Sequence, residues 1–345
     1  MPSASANAIS AKAKAMYGKF LKEEDYERLG KLRSVPDLVA VLKSHPNYKD
    51  VLKDVKETTV HRGQLEALIK KNMFDNILRL IKMAPPDEAD FYKLNIVVQE
   101  NEVILAIIRT MISNETDDIK GKLPDFFDVH TPVDMKELLK TETFEDLLSA
   151  IRRTPYHDIL KPYSTRDTEN LRYLDIEHAL EAYYYDEAFK RIDRFYSGSL
   201  AKDLKSVFQT RIELGNIIKI YRLKKFYKAD PGTIKSVLIT AHSRFSEKDL
   251  DRIIRIEDPD RILDYLSKSE HAMYTNDKDY VYVEYYAGKI RYDLARKFMY
   301  FSTDVPKTYI AFLTLSEIEI DNLTNIIEGI RYQVDENDIR QMLIY

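Results

Sequence analysis

Histidine and carboxylate side chains are the groups in this sequence that could act as general acids, general bases or metal ligands. No two histidines lie one helical turn apart, and the zinc-binding pattern His-Glu-x-x-His does not occur. His178, which follows Glu177, is the histidine most readily made into a general base, yet nothing in the sequence indicates a substrate pocket. We therefore expect it to be solvated or locally hydrogen-bonded. The seven histidines are His45, His61, His130, His157, His178, His242 and His271.

Other catalytic patterns are missing as well. No two of the nine glycines lie closer than twelve residues, so no Gly-rich loop can cradle a phosphate, and Gly-x-Ser-x-Gly is absent. The absence of cysteine excludes thiolate chemistry and fits a reducing compartment such as the cytoplasm. Acidic pairs such as Glu23-Glu24 and Asp117-Asp118 are expected on solvated faces. The sequence predicts a non-catalytic protein with no catalytic, cofactor-binding or metal-binding residue.

Charge and hydropathy narrow the classes of partner. Fifty-three basic and 57 acidic residues give a net charge of -4, without the basic excess that binding to a phosphate backbone requires. The longest apolar run, Val103 to Ile108, is far shorter than the about 20 residues that span a bilayer. We expect neither a nucleic-acid partner nor direct insertion into lipid.

The first twenty residues admit two interpretations. They are rich in alanine and serine and lack acids, as transit peptides do. They also contain no arginine, and Ile9, Met16 and Phe20 fall on one face of a helix. We favour a first amphipathic helix of the folded protein.

A threefold internal repeat organises the chain. Three short amphipathic segments with a shared apolar pattern follow acidic or turn-forming stretches about 110 residues apart. They cover residues 37–43, 146–152 and 261–267. A period this long indicates a small multi-helix domain for each repeat.

A second set of segments reports the same period. These segments begin at Glu102, Glu213 and Glu319. Asn216 and Asn322 share a position in the second and third copies, whereas Leu105 stands there in the first. We interpret the glutamates as acids near the positive end of a helix dipole.

Long helices are predicted between these markers, over Gln64 to Lys82, Ile176 to Tyr196 and Val283 to Ser302. Turn-forming residues at 121–124 and at Asp230-Pro231-Gly232 suggest domain boundaries near residues 115 and 230. The sequence predicts an all-α protein of three pseudo-symmetric helical-bundle domains, residues 1–115, 116–229 and 230–345.

Tyrosine is unusually frequent, with 24 residues. Phenol rings give a large contact area with little rotamer entropy, so they serve protein interfaces and helix packing equally well. Both interpretations stay open for two clusters, which contain Tyr183, Tyr184 and Tyr185, and Tyr280, Tyr282, Tyr285, Tyr286 and Tyr292.

Both ends of the sequence resemble one family. Residues 6–16 (ANAISAKAKAM) are similar to the opening helix of the C subunit of V-type and A-type ATPases, which is called the d subunit in vacuolar enzymes. Residues 312–328 (FLTLSEIEIDNLTNIIE) resemble its closing helix, where a glutamate precedes an Asn-Leu pair. Through the triplication the resemblance covers the whole chain.

This resemblance implies a function that is mechanical. It implies a funnel or socket of three related domains, one copy per complex, between the central shaft subunits of a rotary ATPase and the membrane rotor ring. Such a protein would pass torque for proton or sodium transport, or for ATP synthesis, without catalysing a reaction. It would lie at the cytoplasmic face of the membrane, held by protein contacts.

Two other classes of function compete with this one. A helical-repeat scaffold that binds another complex would have the same composition and repeats. An α-helical enzyme that uses scattered acids or histidines would need a bound metal or cofactor, or a turnover activity that depends on His178. Partner contacts cannot be assigned to residues from the sequence, because solvated and partner-facing charges look alike.

Overall fold

The computed structural model describes residues 4–113, 131–164, 173–268 and 283–345. Every regular element in these ranges is a helix, which confirms the all-α prediction. The helices form two compact units: unit 1 combines Met1–Tyr92 with Ile256–Tyr345, and unit 2 comprises Lys93–Arg255. The division into three sequence repeats remains a prediction.

Unit 1 takes its helices from both ends of the chain. One 3-10 turn, Pro86–Glu88, precedes α6. The α-helices are α1 (Ala4–Tyr17), α2 (Glu23–Gly30), α3 (Val35–Ser44), α4 (Lys49–Leu52), α5 (Arg62–Ile81), α6 (Ala89–Tyr92), α15 (Arg261–Ser267), α16 (Val283–Phe301), α17 (Val305–Tyr332) and α18 (Glu336–Met342).

Unit 2 is continuous in sequence. A 3-10 turn, Lys161–Tyr163, follows α10. The α-helices are α7 (Leu94–Ser113), α8 (Met135–Leu138), α9 (Phe144–Ala150), α10 (Pro155–Leu160), α11 (Tyr173–Phe195), α12 (Gly198–Lys225), α13 (Pro231–Ser236) and α14 (Glu247–Ile254).

Helix α17 is the centre of unit 1. Pro306 lies in its first turn, where a missing N–H costs nothing, and the left-handed Gln333 (φ 52°) ends it. Most of its residues are buried, and α1, α5, α16 and α18 pack against it. Ile9 and Met16 of α1 are buried, so the predicted first helix is confirmed, whereas Phe20 lies beyond its end and is half-buried.

The three long helices predicted from periodicity are confirmed. They correspond to α5, α11 and α16, each within three residues of its predicted ends. In unit 2, α11 packs against α7 and α12. Helices α16 and α17 also pack together, and only residues 302–304 connect them. The long helices α7, α12 and α17 of these pairs carry the buried acids Glu100, Glu213 and Glu319.

The repeated short segments are confirmed as helices α3, α9 and α15. Local hydrogen bonds explain where some of the short helices begin. The Thr143 hydroxyl accepts from the Asp146 N–H before α9, and Asp146 accepts from the Thr143 N–H in return. Asp230 accepts from the N–H groups of Gly232 and Thr233, so the predicted turn before the third repeat caps α13.

Gly329 allows α18 to lie directly on α17. A methyl group on Gly329 would come within 2.5 Å of Ile339 Cδ1, and Ile339 is fully buried. We expect Gly329→Ala to destabilise the protein, because overpacking costs about 1–3 kcal/mol and exceeds the gain of about 1 kcal/mol in helix propensity. Urea denaturation measures the difference.

Gly215 provides the matched control, since it also lies inside a long helix but has no atom near the added methyl position. Gly215→Ala should stabilise the protein by about 0.5–1 kcal/mol. Equal effects of the two substitutions would contradict the proposed contact with Ile339.

Candidate functional site

A buried carboxylate in α17 joins three separate segments of unit 1. Glu319 Oε2 accepts a hydrogen bond from the Leu21 N–H at 2.8 Å. Its Oε1 accepts from Asn47 Nδ2 at 2.7 Å and from the Tyr48 hydroxyl at 2.5 Å. Burial raises the pKa of Glu319 to about 7, although these three donors act in the opposite direction. The carboxylate thus ties α17 to the start of α2 and to the segment between α3 and α4.

Glu100 of α7 occupies a similar place in unit 2. Its two oxygens accept from the hydroxyls of Thr131 and Tyr156, each at 2.5 Å. Only 3% of its surface is exposed, and burial raises its pKa. As with Glu319, both contacts lie on segments distant in sequence from the helix that carries the acid.

The third buried carboxylate, Glu213 of α12, is paired with a cation. It accepts from the backbone N–H of Arg244 at 2.8 Å. The guanidinium of Arg244 adds two bonds, from Nε at 2.9 Å and from a terminal nitrogen at 2.6 Å. Arg244 also reaches the hydroxyl of Thr210 at 3.0 Å. Glu213 is fully buried, so this bidentate pair fixes the segment before α14.

We call these three groups the carboxylate joints. In each joint, an acid on a long helix accepts from the segment that precedes a short helix: α2, α8 or α14. The interpretation of Glu213 and Glu319 as helix-start acids is wrong, because both lie in the middle of their helices. The sequence pattern predicts Glu102 as the counterpart of these two acids in the first repeat. The buried acid of that repeat is Glu100, whereas Glu102 is exposed.

Two asparagines form a second recurring contact. The side-chain amide of Asn216 donates to the Ile239 carbonyl at 2.7 Å and accepts from its N–H at 2.9 Å. Asn322 makes the same pair of bonds with Ile344, at 2.7 and 2.9 Å. Leu105, which the sequence repeat aligns with these asparagines, carries no such amide and is half-buried. Counted from the buried acid Glu100, the corresponding residue is Val103, which is buried and carries no amide either.

A groove of about 980 Å³ lies between α7, α11 and α12 of unit 2. Apolar side chains and charges of both signs line it together, and Lys219 pairs with Glu181 inside it. The lining includes Leu105, Leu174, Ile218, Leu223, Glu102, Glu177, Glu181, Arg211, Lys219 and Arg222. A mixed surface of this kind fits a protein partner that is itself amphipathic.

His178 lines this groove. Nothing in the sequence indicated a groove at this residue. Its pKa is lowered, chiefly by burial and then by Lys219, so the imidazole favours the neutral form. The buried Nδ1 finds no hydrogen-bond partner among the described residues. A general base must reach the proton it removes, and this shielded nitrogen does not open onto the groove.

The other candidate groups do not gather into a site. Glu23 and Glu24 lie in the first turn of α2 and are exposed, whereas Asp117 and Asp118 fall outside the described residues. Four further histidines are spread over both units, and His130 and His271 lie outside the described ranges. Within the described part of the chain, no three histidine, aspartate or glutamate side chains could together hold a metal ion.

The tyrosine clusters serve packing in part. Tyr184, Tyr185 and Tyr286 are buried, which confirms the packing interpretation for these three. Tyr183 is half-buried and meets the ring of Tyr156 edge-on at 5.4 Å. Tyr285 and Tyr292 are half-buried, and Tyr280 and Tyr282 lie outside the described residues.

The described helices and their polar contacts define an all-α protein in which buried carboxylates tie long helices to the segments that precede short ones. None of these helices has both the length and the hydropathy needed to cross a bilayer. Residues 9–342 match the family described as "ATP synthase (C/AC39) subunit". The chain belongs to this family, as the resemblance of its two ends indicated.

Relatives with assigned names agree with this membership. A Methanosphaera stadtmanae protein, named as the C subunit of the A-type ATP synthase, is 24% identical over 97% of this chain and 86% of its own length. A Thermococcus kodakarensis protein of the same name is 22% identical over 76% of this chain and 68% of its own length. A Methanosarcina mazei protein, again of that name, is 30% identical over 32% of this chain and 29% of its own length.

Proposed function

We propose that this protein is a non-catalytic central-stalk subunit of a V-type or A-type rotary ATPase. It couples the rotating central shaft to the membrane rotor ring that translocates protons or sodium ions. The family match over residues 9–342 carries this proposal, and the relatives named as C subunits of A-type ATP synthases support it. One copy serves each complex, at the cytoplasmic face of the membrane, through protein contacts and without lipid insertion or nucleic acid.

The proposed architecture is a funnel or socket of three related domains, residues 1–115, 116–229 and 230–345. The carboxylate joints support it, because their acids recur about 110 residues apart and each engages the segment before a short helix. Joints of this kind suit a protein that transmits torque, since close-packed helices tied at several points deform little.

The unit 2 groove is the proposed contact for a helix of the shaft. An α-helix with an apolar face flanked by acids and bases would meet the leucines of the groove and both signs of its charge. Leu174 supports this occupant, because a leucine that is 41% exposed leaves apolar surface for a partner to cover.

Ion transport driven by ATP tests the coupling role. Membrane vesicles that lack this protein should lose ATP-driven ion uptake, while the soluble head of the complex still hydrolyses ATP. A tagged copy of the protein should co-purify with shaft and ring subunits. A helical scaffold for another complex would leave ion uptake unchanged, and that result would refute the coupling proposal.

A matched pair of substitutions tests the groove. Leu174→Asp should weaken binding to the shaft about tenfold or more, because it places an unpaired charge in a buried contact. Ile112 is 37% exposed in the same unit but does not line the groove, so Ile112→Asp should leave binding unchanged. Equal affinities of the two variants, measured with purified shaft subunits, would exclude the groove as the contact.

A further inference from the structure

A second concavity lies within unit 1, where α16 and α17 meet the segment between α1 and α2. Its volume is about 460 Å³, within the range of pockets that hold small molecules. Leu315, Ile318 and Glu319 of α17 form part of its wall. The pocket belongs to one compact unit, and the coupling proposal makes no use of it.

Three cationic and two acidic side chains line this pocket. The cations are Lys14, Lys22 and Arg296, and none of the ion pairs found among the described residues includes Arg296. The two acids are Glu23, which is exposed, and Glu319, whose oxygens already accept three hydrogen bonds. An arginine without an acidic partner at the wall of a pocket is suited to an anionic ligand, above all to phosphate.

Aromatic rings surround the same arginine. The guanidinium carbon of Arg296 lies 5.3 Å from the ring centre of Tyr292 and 5.8 Å from that of Tyr300. The ring of Tyr17 meets that of Tyr300 edge-on, at 5.9 Å and 73°. Tyr300 is 57% exposed, so part of its ring is open to a second planar group. Base stacking on such rings is a common source of affinity for nucleotides.

We propose that this pocket binds a nucleotide, with the phosphates at Arg296, Lys14 and Lys22 and the base against Tyr300. Lys14 lines the pocket, and its ammonium group donates to the Ser302 carbonyl at 3.2 Å. A free phosphate would use the cations alone, whereas the exposed ring of Tyr300 favours a ligand that also carries a planar group.

Calorimetric titration of the full chain with ADP at about 150 mM salt tests the proposal. Wild-type protein should bind ADP with a dissociation constant below about 1 mM, and Arg296→Gln should weaken binding about ten- to hundredfold. Lys297, the next residue of α16, is exposed and does not line the pocket, so Lys297→Gln removes the same charge as a control. That control should leave the affinity within about twofold, since salt screens the charge of an exposed side chain that does not line the pocket.

Titrations with pyrophosphate and adenosine separate the parts of the ligand. Tyr300→Ala, at an exposed position, should weaken ADP binding about fivefold or more and leave pyrophosphate binding unchanged. Absence of ADP binding, equal losses in the Arg296 and Lys297 variants, or pyrophosphate affinity equal to that of ADP would each overturn the proposal. None of these results would affect the coupling role, which is measured by ion transport.

Discussion

Arg244→Met is expected to lower the free energy of unfolding by about 3–5 kcal/mol, because it leaves the carboxylate of Glu213 buried without its cation. Glu213 is fully buried in α12, and the guanidinium supplies two of its three bonds from Arg244. Chemical denaturation followed by circular dichroism at neutral pH measures the loss.

Two comparisons isolate the cause of this loss. The double variant Arg244→Met with Glu213→Leu should recover much of the stability, since it removes the stranded charge. Arg340 pairs with Glu27 at 2.7 Å on an exposed surface, so Arg340→Met should change stability little. A similar loss in the Arg340 and Arg244 variants would show that burial of Glu213 does not matter.

Wild-type protein is expected to lose stability relative to Glu319→Gln as the pH rises from about 5 to about 8. The pKa of Glu319 is raised to about 7, so the native state binds its proton more tightly than the unfolded chain does. The stabilisation from this proton is complete below the ordinary pKa of 4.5 and is lost as the pH passes through about 7. The full change amounts to about 3 kcal/mol.

Urea denaturation of both proteins across this pH range measures the difference. Both proteins contain Asp25 and His45, so the comparison removes most of the contribution of these groups. A further measurement near pH 4, below the ordinary pKa of 4.5, gives an internal reference, because there the side chain at this position is largely uncharged in the native and unfolded states of both proteins. Parallel stability curves from about pH 5 to pH 8 would contradict a raised pKa for Glu319.

Periodicity was sufficient to predict the long helices but not the carboxylate joints. Glu100 is flanked by Ile96 and Ile104, one turn to either side, so it lies on the buried stripe of α7. Glu319 likewise lies between Leu315 and Leu323. A single sequence is enough to show that an acid lies on an apolar stripe of a helix. This pattern would have predicted Glu100, rather than Glu102, as the buried acid of the first repeat.

The partners of these acids were beyond sequence reasoning. Tyr48 lies 271 residues from Glu319, and Arg244 lies 31 residues from Glu213, with no common spacing between them. Nothing in a single sequence links such donors to their acceptors, because the contact depends on how the helices pack. The groove and the nucleotide pocket were missed for the same reason, since their linings come from several helices.

The discontinuity of unit 1 has a consequence for biogenesis. Helices α1 and α5 pack with α17, and α2 packs with α18, yet the ribosome makes α17 and α18 only after the whole of unit 2. Unit 2 is contiguous, so it can fold during translation, whereas the apolar faces of α1 to α5 wait for their partners. During this interval the early helices of unit 1 lack the apolar surface of α17 against which they pack in the folded protein.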